Sequence, residues 1–132
     1  MKTLFLRFFA VEVAIVVVVG VLFSVIPDKV TAGLIAGSFF VAIGAWIGVA
    51  GLRQPSLRRT PTFALALVHL FLSALPMLLT RILNRAALFE DVRIWGLPGP
   101  VFHNVSTGIY FALMAATAFD WFRSSLVEIA GK

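Results

Sequence analysis

The chain contains no cysteine. That excludes disulfides, thiolate metal centres and cysteine nucleophiles, and it leaves the redox compartment open. Charge is scarce too: only 13% of the 132 residues are Asp, Glu, Lys or Arg, about half the share of a soluble domain. Acids are the scarcer sign, six against eleven Lys and Arg, for a formal net charge of +5. The arginines flank apolar segments, so lipid phosphates and membrane topology account for that excess, and nucleic acid is not expected as a partner. There are two histidines, His69 and His103. With widely scattered acids they make no zinc cluster. No phosphate-cradling glycine loop, metalloprotease motif or nucleophile–base spacing is present. No cofactor or metal is therefore expected, and a non-enzymatic role is favoured. An enzyme acting on lipid would need His103, Asn104, Arg81, Arg85, Glu90 and Asp91 to converge at one interface.

Apolar residues are what the chain has in quantity. They make up 61% of it, and the mean hydropathy is +1.02. Too little polar surface remains to face water. The expectation is an all-α integral membrane protein, a single domain over residues 1–132, folded as an antiparallel bundle of four transmembrane helices. The spans fall at about 4–26, 32–52, 61–80 and 101–121, each long enough to cross a bilayer. Val30-Thr31-Ala32 has the look of a signal-peptide cleavage site. Glu12 interrupts the preceding apolar run, however, and the run exceeds a usual signal core, so a retained helix is expected.

Pro27 and Asp28 end the first span and make a tight turn. Arg53, Arg58 and Arg59 sit in a loop without acids, read as a contact for anionic lipid or a protein partner. Pro61 is suited to begin the third span, because its missing N–H would be unpaired there. Residues 81–100 form a longer outer connection. Its middle is expected to extend the third helix, lie in the interface as a short helix, or remain a loop. Arg81, Arg85 and His103 are assigned to the outer interface. Lys2, Arg7, Arg53, Arg58, Arg59, Arg123 and Lys132 fall on one side, and Lys29, Arg81, Arg85 and Arg93 on the other. The positive-inside rule then puts both termini in the cytoplasm, and a bacterial inner (plasma) membrane is the expected location.

The second span carries half of the ten glycines. Gly33, Gly37, Gly44, Gly48 and Gly51 fall at roughly 0°, 40°, 20°, 60° and 0° around a helix. This bare stripe lets another backbone come close. It packs either within the bundle or against a second copy or another membrane protein.

Ionisable groups inside a membrane are costly and so become functional candidates. Glu12 lies roughly 12 Å in along the first helix, and His69 roughly 10 Å in along the third, from the same side. They are expected to face each other or share a water. Thr62, His69, Ser73, Pro76 and Thr80 make one polar stripe on the third helix. His103, Thr107, Tyr110, Met114, Thr117 and Trp121 make another on the fourth, expected to face the interior, with Tyr110 or Thr117 joining the Glu12–His69 layer. Asp120 is read as an interface anchor. The bland alternative for the layer is a structural polar clamp.

In size, span number and the solitary Glu12 of its first helix, the chain resembles the small multidrug-resistance transporters. The long outer connection, the arginine loop and His69 depart from that pattern. The resemblance implies an oligomeric transporter, and it shapes the second of two functional expectations. The first is an accessory, assembly or scaffold subunit of a membrane complex, acting through helix–helix association or as a homo-oligomer. The second is a small-molecule or ion transporter or channel using Glu12 and His69.

Overall fold

The computed structural model describes residues 1–130; Lys132, counted above in the charge balance, lies outside them. Four helices carry the fold: α1 Lys2–Val25, α2 Lys29–Arg53, α3 Pro61–Leu83 and α4 Gly99–Ala130. All four are long and apolar enough to cross a membrane.

Local chemistry sets their ends. α2 starts at Lys29 rather than Ala32 because the Asp28 side chain accepts hydrogen bonds from the N–H groups of Val30 and Thr31, at 3.0 and 3.3 Å. The first N–H groups of a helix need such a cap. Thr60 does the same for α3, accepting from the Phe63 N–H at 3.3 Å, with Pro61 in the first helical position. α3 continues to Leu83, past residue 80, and α4 runs well past residue 121. The segment between α2 and α3 makes one tight turn, Leu57–Arg59, whose Leu57 is wholly buried. Arg58 folds back there: Nε donates to the Gly51 carbonyl at 2.7 Å and Nη2 to the Leu52 carbonyl at 2.9 Å. Its charge therefore caps the C-terminus of α2. Of the three arginines read as a lipid or partner contact, Arg53 and Arg59 are exposed and Arg58 is engaged within the chain.

Side-chain contacts fix how the helices run. Gly37, Gly44, Gly48 and Gly51 of α2 meet Leu78, Leu70, Leu67 and Phe63 of α3, in opposite order. Glu12 of α1 meets Thr117 of α4, and Lys2 pairs with Glu128 at 3.5 Å. Thr62 meets Asp120 and Ser73 meets Ser106, joining α3 to α4. The glycine stripe is thus occupied by the chain's own helices. A Cβ at Gly44 would stand 3.0 Å from the Leu70 Cβ, and one at Gly51 would overlap the Phe63 ring. The main core lies toward the end that carries the termini, around Phe5, Phe8, Ile43, Ile47, Leu57 and Leu113.

α3 is not regular. Leu70–Ala74 form a wide π turn, one residue per turn looser than an α-helix, just ahead of Pro76. The helical phase shifts there. Thr62, His69 and Ser73 of the expected polar stripe are buried, whereas Pro76 and Thr80, beyond the turn, are half-buried. Pro76 has no N–H to offer the carbonyl of Leu72. The Trp95 indole N–H takes that acceptor instead, at 3.1 Å.

Trp95 reaches it from a small hairpin, β1 Arg93–Ile94 and β2 Leu97–Pro98, where the sequence suggested helix or loop. The two-residue turn has positive φ at both positions, Trp95 at 53° and Gly96 at 79°. This matches strand twist and suits glycine, but costs a side-chain-bearing residue about 1–2 kcal/mol. The indole hydrogen bond offsets part of that cost. Val92 and Ile94 anchor the hairpin on Phe102 of α4, with Met77 of α3 packed alongside.

Candidate functional site

Toward the terminal end, the polar residues of three helices meet in one closed layer. Glu12 is fully buried. Its Oε1 accepts from the Thr117 hydroxyl at 3.0 Å, and its backbone carbonyl accepts from the Tyr110 hydroxyl at 2.9 Å. His69 does not hydrogen-bond to Glu12. The Tyr110 ring packs on the His69 ring, centroids 5.1 Å apart, while its hydroxyl points to α1. Tyrosine therefore bridges the two residues that were expected to face each other. Glu12 Oε2 and His69 Nδ1 are buried without hydrogen-bond partners, a state that costs free energy in an apolar interior.

The second feature is a cavity of about 520 Å³, within the roughly 300–1,000 Å³ typical of small-molecule sites. It occupies the half of the bundle away from the termini, and all four helices line it. Its floor is an aromatic group: His69, Tyr110 and Phe40, whose rings stand edge-on with centroids 4.8 Å (Phe40–Tyr110) and 5.9 Å (Phe40–His69) apart. Gly33, Ala36 and Gly37 form the α2 wall, and Ala74, Met77 and Leu78 the α3 wall. Small residues on α2 leave the space open. A Cβ at Gly33 would meet only the Phe23 ring, 4.0 Å away. The stripe therefore divides: Gly37, Gly44, Gly48 and Gly51 lie against α3, whereas Gly33 faces open space in the cavity, which Gly37 also lines.

The cavity opens sideways. Apart from Lys29, the exposed residues that line it are Val16 and Phe23 of α1 and His103, Thr107 and Phe111 of α4. The buried residues of α1, namely Phe5, Phe8, Glu12 and Ile15, all lie in its first fifteen residues. Beyond Ile15, α1 and α4 no longer cover each other. His103 and Thr107, expected to face the interior, stand instead at this gap. Tyr110 and Thr117 are buried, and Met114 and Trp121 half-buried. The Thr107 hydroxyl is satisfied by its own helix, donating to the His103 carbonyl at 2.9 Å.

At the mouth stand Lys29 and Arg81, with Phe89 from the connecting segment. Lys29 Nζ donates to the Phe23 carbonyl at 2.6 Å, capping the end of α1. The Arg81 guanidinium carbon lies 4.3 Å above the Phe89 ring, a cation–π contact. Arg85 is exposed outside the cavity. No Asp or Glu lines the space.

The sequence reading missed three elements: the cavity, the Trp95 hairpin and the role of Asp120. Asp120 is no interface anchor. It is buried, and its Oδ2 accepts from both the N–H and the hydroxyl of Thr62, at 3.0 and 2.6 Å, capping α3 from α4. An acid spaced one turn before the C-terminal polar segment, opposite the N-terminus of a neighbouring helix, was the available signal. Among the described residues, no three metal-ligating side chains converge. No family model, no curated protein and no solved structure matches this chain.

Proposed function

We propose that the protein is a membrane-embedded carrier that takes a small apolar or amphiphilic molecule from the bilayer into the space between its helices. The observation that carries this reading is the cavity itself, with its gap between α1 and α4 facing the surface that would contact lipid. A ligand moving within the bilayer would enter there without crossing water. Glu12 then serves as part of the closed layer beneath the floor, linked to it through Tyr110, and His69 is the polar group nearest the ligand. The positive-inside balance supports termini on the cytoplasmic side and a mouth on the opposite, outer side.

Association with other membrane proteins as an accessory subunit draws less support. Of the glycine stripe that motivated it, Gly37, Gly44, Gly48 and Gly51 lie against α3 of the same chain and Gly33 lines the cavity. Exposed Arg53 and Arg59 are what remains for such a partner.

The test uses the protein in nanodiscs with an alkane bearing a terminal diazirine. Photolabelling is expected on Ala74, His69 or Tyr110, and Thr107→Trp, which fills the gap from an exposed position, is expected to abolish it. Labels confined to outward residues such as Val17 and Leu79, unchanged by Thr107→Trp, would refute the reading.

A further inference from the structure

The mouth of the cavity differs chemically from its interior. Between floor and mouth the walls are glycine, alanine, leucine, methionine, valine and phenylalanine, with Ser106 and Thr107 along one side. At the mouth two cations, Lys29 and Arg81, stand beside His103. Neither cation forms a salt bridge; among the described residues the one ion pair is Lys2–Glu128, at the other end of the bundle.

The acids near the mouth are otherwise engaged or turned to solvent. Asp28 spends its carboxylate on the Val30 and Thr31 N–H groups and the Thr31 hydroxyl. Glu90 and Asp91 are exposed and line no part of the space. Arg81 is held in place by the Phe89 ring, which orients the guanidinium without neutralising it. Lys29 is held by the α1 carbonyl it caps. Both are thus positioned cations with no salt-bridge partner among the described residues, next to an apolar space.

The space is also long. From Arg81 to His69 is twelve positions along α3, or about 18 Å of helical rise.

We infer that the cavity binds an anionic amphiphile, with its carboxylate or phosphate head at Lys29 and Arg81 and its alkyl chain end on the His69–Tyr110–Phe40 floor. This rests on the carrier reading above and specifies its ligand. The head would gain charge-assisted hydrogen bonds from both cations. The chain would cover apolar walls otherwise left open to the bilayer.

Four probes of equal chain length, each with a diazirine at the methyl end, test this in nanodiscs of uncharged lipid: an alkyl carboxylate, an alkyl phosphate, an alkanol and an alkyl trimethylammonium. Labels from the two anionic probes are expected at the floor, roughly tenfold above the alkanol, with the cationic probe lowest. A stronger carboxylate signal identifies a free fatty acid type of ligand, and a stronger phosphate signal a lysolipid type. Arg81→Gln is expected to lower the anionic-to-neutral ratio, and Arg81→Gln combined with Lys29→Gln to bring it to about one. That ratio is internally normalised, so a partly unfolded sample does not imitate the effect. Equal labelling of the floor by anionic, neutral and cationic probes would overturn the inference while leaving the carrier reading intact. Failure of every probe to label the floor would overturn both.

Discussion

Asp120→Ala is the most demanding test of how this bundle is held together. In the structure one carboxylate oxygen receives two hydrogen bonds from Thr62, which is itself fully buried. Truncation removes the acceptor and strands a backbone N–H and a hydroxyl at the start of α3. Hydrogen bonds to a charged group contribute about 1.5–3 kcal/mol each, and they are not additive when they share an acceptor. A negative charge at a helix N-terminus adds about 0.3–1 kcal/mol. The expected loss is therefore about 3 kcal/mol for Asp120→Ala. Asp120→Asn keeps an acceptor and loses the charge, so about 1 kcal/mol is expected. Thr62→Val removes the hydroxyl alone. In the double-mutant cycle of Asp120→Ala with Thr62→Val, a coupling of about 1 kcal/mol should appear. The assay is reversible unfolding in mixed micelles of rising dodecyl sulfate fraction, followed by circular dichroism. If Asp120→Ala costs under about 1 kcal/mol, or if the two changes simply add, α3 is not capped from α4.

Two further outcomes follow from local chemistry. Trp95→Phe removes the N–H that satisfies the Leu72 carbonyl and should cost about 1 kcal/mol. In a Pro76→Ala background a backbone N–H is restored nearby, so the same change should cost less; equal effects in both backgrounds would contradict the link between proline and indole. Asp28 lies outside the spans, and its carboxyl is held below the usual carboxylate range, first by the Thr31 hydroxyl and then by the Val30 N–H. A lowered native pKa means that the contribution is present at neutral pH and lost as pH falls through that lowered value. Hydrogen-exchange protection of the Val30 and Thr31 amides should hold from pH 7 to about pH 4 and fall below it. Asp28→Asn should show no such pH step, and a matching step in that variant would exclude Asp28 as its source.

The intramembrane layer shows how far residue spacing carries. Helical periodicity put Tyr110 and Thr117 on one face, and rise along the helices put Glu12 and His69 at one depth. Periodicity says nothing of which group meets which. Tyr110 is long enough to reach the α1 backbone, so its ring packs on His69 while its hydroxyl bonds the Glu12 carbonyl, and Thr117 rather than the imidazole takes the Glu12 carboxylate. The outer half of the fourth-helix stripe shows the limit from the other side. His103 and Thr107 share a helical face with Tyr110 but are exposed at the cavity, so the same face is core in one half and cavity lining in the other.

What the sequence determined by itself is the set of four apolar helices and the residues that cap them, although hydropathy alone placed the start of α2 at residue 32 rather than Lys29. Hydropathy acts over a window of neighbouring residues, and Asp28, Thr60 and Pro61 act within one turn, so these features are local. The glycine stripe is also local, as a helical pattern. Tertiary structure alone decided which glycines seat α3 and which face open space. It also set the bond by which Trp95 takes, across 23 positions, the carbonyl that Pro76 leaves free, and the cap that Asp120 supplies across 58. The cavity belongs to no segment at all. It is volume that four helices together leave unfilled, and it depends on how they are placed against one another, which no single stretch of sequence encodes.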